Sequence, residues 1–180
     1  METLSLRPHP EHLPADVESI EAAVIGLDPN WLRVRWKVQG ASGVVLPPFA
    51  GKGRADGLWQ ETCFELFLRT PGEAGYVELN LAPSEQWAAY DFVGYRSGMA
   101  ERPLPRDPDC TARVGGQVII FDASIPMAGL PPLPWELGIS AVIVEEDGTK
   151  SLWALRHDPG PADFHAPACF AVRLGAPAQA

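Results

Sequence analysis

Clustered positive charge is absent from this chain. Its 14 Lys and Arg are outnumbered by 23 Asp and Glu, for a formal net charge of −9, and the basic side chains are scattered. Phosphate backbones and anionic lipid surfaces both call for concentrated cations, so nucleic acid and membrane are not expected partners. Cysteine is scarce as well. Cys63, Cys110 and Cys169 stand far apart and form no CxxC pair. An odd, unpatterned set predicts buried thiols in a reducing compartment, not a disulfide framework. A catalytic thiol is the alternative reading. Cys63 and Cys169, however, fall in apolar strand-like runs, where a thiol behaves as a small hydrophobe. No apolar run approaches the ~20 residues that cross a bilayer as a helix. The opening residues Met1-Glu2-Thr3-Leu4 have neither the basic nor the apolar region of a secretory signal. The expected location is the cytoplasm. A GxSxG elbow, a Ser-His-Asp signature and a phosphate-cradling glycine loop are all missing, so no motif announces an enzyme.

Helix-breaking residues, by contrast, are plentiful, with 19 Pro and 17 Gly among 180 residues. Such density favours short strands joined by turns. A chain of this length can bury about 70% of its unfolded surface and needs no metal or disulfide to hold it. Period-two alternation is clear in several places. Over residues 31–38, Leu32, Val34, Trp36 and Val38 point one way and Trp31, Arg33, Arg35 and Lys37 the other. A strong strand is predicted over residues 58–69, with Phe64, Leu66 and Leu68 opposite Cys63, Glu65, Phe67 and Arg69. In the next strand, residues 76–81, Val77, Leu79 and Leu81 oppose Tyr76, Glu78 and Asn80. Further strands are predicted over residues 17–25, 86–92, 135–145, 151–156 and 169–174, with a hairpin over 110–125 turning at Gly115-Gly116. Residues 1–16 read as an irregular lead-in, 40–57 and 94–109 as long connections, 127–130 as a short helix or 3₁₀ turn and 175–180 as a frayed tail. There is no internal repeat, low-complexity tract or linker. The expected fold is all-β, an antiparallel β-sandwich of about ten strands with few or no helices, in one domain spanning 1–180.

The run Gly57-Leu58-Trp59-Gln60-Glu61-Thr62-Cys63-Phe64-Glu65-Leu66-Phe67-Leu68 is followed by Tyr76-Val77-Glu78-Leu79-Asn80-Leu81-Ala82-Pro83-Ser84. Together they resemble the tandem strands of the DOMON-like superfamily, specifically relatives of the family 9 carbohydrate-binding modules. Phe121-Asp122-Ala123-Ser124-Ile125-Pro126-Met127 is similar to a strand of that group ending in Ile-Pro, and Trp135-Glu136-Leu137-Gly138-Ile139-Ser140 to the strand after it. Leu152-Trp153-Ala154-Leu155-Arg156-His157, then Ala162-Asp163-Phe164-His165 and Phe170, resemble the closing segment of stand-alone bacterial members. The resemblance spans about residues 30–174. It implies a jelly-roll-like sandwich that binds a sugar, or in some relatives haem through Met and His. Most sugar-binding relatives are secreted, so the absent signal favours a small soluble glycan or metabolite over a polysaccharide.

If the strands carrying Glu65 and Glu78 are neighbours, Glu65, Arg69, Glu78 and Asn80 share one surface. Carboxylates and amides bind paired sugar hydroxyls, and Trp59, Trp87, Tyr90, Tyr95 and Trp153 offer flat apolar platforms. The ligand-binding set expected from the sequence is Trp59, Glu61, Glu65, Arg69, Glu78, Asn80, Trp87, Tyr90, Trp153 and His157. The plainer reading is that the acids are solvated and the tryptophans are core, as Trp36 is expected to be. A glycosidase would use the same acids as a carboxylate pair. His157, Asp163 and His165 have metal-ligand chemistry, and Met99, Met127, His157 and His165 have haem-ligand chemistry. Satisfying backbone groups and anchoring loops are their simpler roles. No catalytic residue, metal or cofactor is expected, and the partner is a small molecule or glycan.

Overall fold

The computed structural model describes residues 2–175. The alternation in the sequence becomes extended backbone: β1 (Leu4–Pro8), β2 (Ser19–Leu27), β3 (Trp31–Gln39), β4 (Gly53–Arg54), β5 (Cys63–Arg69), β6 (Tyr76–Leu81) and β7 (Gln86–Phe92). There follow β8 (Ala100–Glu101), β9 (Asp109–Val114), β10 (Val118–Pro126), β11 (Trp135–Val144), β12 (Lys150–Ala154) and β13 (Val172–Leu174). Four 3₁₀ turns complete the regular structure, and there is no α-helix among the described residues. No helix there is long and apolar enough to cross a membrane.

The strands form one curled sheet in the order β4-β7-β6-β5-β11-β12-β1-β2-β3-β10-β9, with β13 added to β11 and β8 to β7. β1 is the joint between two halves. Its Leu4, Ser5 and Leu6 pair with β2, and its Arg7 and Pro8 pair with β12. The halves meet across a core drawn from alternate residues of each. Phe64 of β5 stacks on Phe121 of β10 at 4.4 Å, and Trp36 of β3 packs against both at 5.4 and 5.8 Å. Burial of such large rings dominates the driving force for folding. All three cysteines are buried and unpaired.

Three expectations are corrected. The lead-in is not wholly irregular: it supplies β1, whose partners lie in distant segments and leave no local trace. Residues 58–62 are not strand. Leu58–Gln60 form a 3₁₀ turn entered through Gly57, whose φ of 72° suits a residue with no Cβ. The count is thirteen strands, and the pairing is not purely antiparallel, because β4 runs parallel to β7. The short strands β4 and β8 lie inside the two stretches read as connections, too brief to alternate visibly. The 3₁₀ turn after β10 is present at Met127–Gly129. The frayed tail concerns residues 176–180, outside the described residues, with Gly175 preceding them as irregular backbone.

Both faces of β5 and β6 are covered, and every residue of β6 is buried. One face enters the main core. The other is packed by a second cluster: Phe67, Tyr76, Ala88, Tyr90, Phe92 and Phe170, with Leu58 and Phe164 against it. The segment after β12 folds over this face. Gly138 makes room for it, since a Cβ there would lie 3.2 Å from both the Phe67 Cβ and the Cys169 carbonyl.

Candidate functional site

β5 and β6 are neighbours in antiparallel register, with Glu65 opposite Asn80 and Phe67 opposite Glu78. Across β11, Glu65 faces Ser140; across β7, Glu78 faces Tyr90 and Asn80 faces Ala88. The result is a cavity of about 920 Å³ whose floor carries Glu65, Glu78 and Asn80. Its walls come from Asp56, Gly57 and Trp59 before β5, from Arg96, Met99, Ala100 and Glu101 around β8, and from Ala162, Phe164 and His165 after β12. A concave, partly aromatic recess with a few convergent polar groups is the common form of a small-ligand site.

The floor residues are removed from bulk solvent, with relative exposures of 3% for Glu65, 8% for Glu78 and 1% for Asn80. Asn80 Nδ2 donates to Glu78 Oε1 at 3.0 Å, and Ser140 Oγ donates to Glu65 Oε2 at 3.1 Å. Asn80 Oδ1 has no partner. A buried acceptor left unpaired is costly, and a ligand donor would relieve it. Burial, reinforced by the negative charge of Glu78, pushes the Glu65 carboxyl up to about 8. Burial likewise holds Glu78 above the usual carboxylate range, against the hydrogen bond from Asn80.

His165 stands beside Glu78, its Nε2 3.7 Å from Oε2. The Tyr76 hydroxyl accepts the Arg96 backbone N–H at 3.2 Å and shares a hydrogen bond of 2.7 Å with His165 Nδ1. Burial, with the positive Arg96 nearby, drives the imidazole down to about 4, so it is neutral near pH 7. Arg96 itself is paired with Asp163 at 2.7 Å, and Asp163 also takes the Tyr95 hydroxyl and the His165 backbone N–H. At the rim, Trp59 is 52% exposed and the Lys150 ammonium lies 5.2 Å from its ring centre. The Tyr90 hydroxyl bonds Asp56 and is raised, by burial first and then by that bond.

Of the ten residues expected from the sequence, Trp59, Glu65, Glu78, Asn80 and Tyr90 come together here. The other five do not line the cavity. Trp87 projects from the opposite face of β7 into the core, its ring under Arg54 at 4.4 Å and its N–H on Asp107. Trp153 is core as well and donates to Ser151 Oγ. Arg69 shares a face with Glu65 but sits one aromatic layer away, on Glu136 at 2.7 Å and over the Phe170 ring at 4.3 Å. Glu61 is an exposed residue closing the 3₁₀ turn. His157 holds the N-terminal segment through the Arg7 carbonyl at 2.8 Å and packs edge-on to His9. Tyr95 remains 59% exposed outside the cavity.

Phe92 was within reach of sequence reasoning, since it alternates in step with Tyr90. Arg96 was not, because it arrives from an irregular segment with no local pattern, and His165 stood out in the sequence only for metal or haem chemistry. His157 and His165 bind different partners, the Arg7 carbonyl and the Tyr76 hydroxyl, and no three His, Cys, Asp or Glu among the described residues could hold a metal ion together. Met99 and His165 both line the cavity, but both ring nitrogens of His165 are turned to Tyr76 and Glu78. Met127 packs against the main core.

The sequence matches no family model and no curated protein. The solved structures are more informative. A "putative carbohydrate-binding protein" from Bacteroides uniformis ATCC 8492 superposes with a TM-score of 0.61 over 97% of this chain and 87% of its own, at 16% identity. A family 9 carbohydrate-binding module from Caldicellulosiruptor kristjanssonii, solved with glucose, gives 0.52 over 93% and 81%, at 9% identity. The fold is shared with both. At these identities the likeness speaks for architecture, and function has to be argued from the site.

Proposed function

We propose that this chain is a single ligand-binding domain, a jelly-roll-like β-sandwich of the DOMON-like group, that binds a carbohydrate in the cavity above β5 and β6 without chemical turnover. The observation that carries this reading is the floor. Glu65, Glu78 and the unpartnered Asn80 Oδ1 are buried side by side beneath an exposed indole, Trp59. Polar groups that fix hydroxyls below, and a flat ring that covers C–H faces above, are the two parts a sugar ring calls for. The shared fold with a glucose-bound module supports the same substrate class. The volume suits one or two sugar rings better than an extended chain, in keeping with a pocket and not an open groove.

The test is a thermal-shift and calorimetric screen of monosaccharides and disaccharides against the intact protein. A bound sugar at a hundredfold excess over its Kd stabilises by about 2.7 kcal/mol, which raises Tm by roughly 5–10 °C for a chain of this length. Trp59→Ala is expected to weaken binding about tenfold, ~1.4 kcal/mol, while leaving Tm of the free protein unchanged. A flat response to every sugar, or undiminished affinity in a folded Trp59→Ala, Asn80→Ala double variant, would defeat the reading. Turnover of aryl glycosides that disappears in Glu65→Gln would convert it to that of an enzyme.

A further inference from the structure

The floor of the cavity has acceptors to spare and few donors. Glu65 spends one oxygen on Ser140, and Glu78 spends one on Asn80. Among the described residues three oxygens are left without a hydrogen bond: Glu65 Oε1, Glu78 Oε2, with His165 Nε2 3.7 Å away, and Asn80 Oδ1. The register sets Glu65 diagonal to Glu78, a spacing of about 7–8 Å between backbones. The two carboxyls and the amide thus sit on one face of adjacent strands and line the same floor.

Among the described residues no cation makes a direct contact there. Arg96 is engaged by Asp163, and Lys150 is held at the rim by the Gln60 carbonyl at 3.4 Å and the Trp59 ring. Among the described residues, neither Glu65 nor Glu78 forms an ion pair with a lysine or arginine. The neighbouring imidazole of His165 is neutral near pH 7. Buried acids ordinarily carry a paired cation. Burial raises both acids, Glu65 further through its neighbour, and the more distant charges of Lys150 and Arg96 offset this only in part, so in the free protein a proton takes the place a ligand cation would fill on Glu65.

We infer that the ligand supplies the missing cation: the cavity is built for an amino sugar, with the ring's primary ammonium group seated between Glu65, Glu78 and Asn80 Oδ1. This rests on the carbohydrate reading above and names the sugar class. An ammonium offers three donors and no acceptor, matching the three oxygens left over. A sugar hydroxyl offers one donor and no charge, so it cannot favour the ionised form of either acid as an ammonium does. Tyr90, Phe92 and Phe164 also line the cavity, and aromatic walls favour a desolvated cation further.

The experiment is calorimetric titration of the intact protein at pH 7 with glucosamine, galactosamine and mannosamine. Each is paired with its neutral parent and its N-acetyl derivative, and ethanolamine serves as an amine without a ring. At least one amino sugar is expected to bind about tenfold or more tightly than both its neutral and its acetylated counterparts. Glu78→Gln and Glu65→Gln, each checked for folding by its melting transition, are expected to bring that ratio close to unity. A neutral sugar that binds as well as its amine overturns the amino-sugar inference and leaves the carbohydrate reading standing. Ethanolamine matching the amino sugars overturns the sugar reading and leaves the ammonium site. An amine preference that survives intact in both folded variants, or no binding by any compound, also overturns the inference.

Discussion

Glu65 and His165 share one cavity yet depart from their ordinary behaviour in opposite directions, and both departures have the same origin in lost water. Below pH 4.5 Glu65 is protonated whether the chain is folded or not. Between 4.5 and about 8 the unfolded carboxyl has ionised and the native one has not, so stability falls as pH rises. His165 works the other way. From 6.5 down to about 4 the unfolded ring takes a proton that the native ring refuses, so stability falls as pH drops. The two slopes offset each other between pH 4.5 and 6.5, and Glu65 acts without that offset from 6.5 to 8. Urea unfolding should show stability declining across that upper window by at most about 1.4 kcal/mol per pH unit from this group. Glu65→Gln should flatten the decline. A decline of undiminished slope in the variant would place its cause elsewhere.

A strand with two buried faces distributes its residues between two jobs, and β7 separates them cleanly. Trp87 and Ala89 enter the main core, while Ala88, Tyr90 and Phe92 face the second cluster. Trp87→Ala is expected to cost about 3–5 kcal/mol of stability, the usual price of a large core ring. Tyr90→Phe keeps the ring but releases Asp56, and so loosens the connection that carries Trp59. Its expected signature is weaker sugar binding with stability nearly unchanged. Denaturant unfolding and calorimetry on the two variants would separate these effects. Equal stability loss in both would mean the faces are not divided as described. This division also shows why Trp87 and Tyr90 could not both belong to one site. They are three residues apart in a strand of period two, and their opposite orientation was readable before any coordinates. The place of Arg69 was not readable in that way, because Phe67 and Phe170 intervene and Phe170 comes from a distant segment.

Across the whole molecule, the curled sheet depends on contacts that join its ends in sequence. Glu145, just past β11, is buried and accepts backbone N–H groups from Ala15 at 2.8 Å, Asp16 at 2.7 Å and Val17 at 3.1 Å. It thereby ties down the segment between β1 and β2, next to the strand that joins the two halves. Glu145→Ala leaves those donors without their acceptor and is expected to cost about 3 kcal/mol, with the pocket's affinity preserved at low temperature. Hydrogen exchange should show the loss of protection concentrated at residues 15–17 before any global opening. Unchanged protection there would mean the carboxylate is dispensable.

Local physics reached a definite point with this chain. Proline and glycine density excluded long helices, and period-two alternation assigned Glu65, Glu78 and Asn80 to the faces opposite Leu66 and Leu79. These followed from composition and covalent geometry, which act over a few residues. Whether that second face met water or protein could not follow from them. It was settled when the segment bearing Phe164, His165 and Phe170 folded back over β5 and β6 and turned a would-be solvated surface into the floor of a cavity. Burial belongs to the pair of surfaces that meet, and those surfaces are encoded some 90 residues apart along the chain, too far for any local pattern to register their contact.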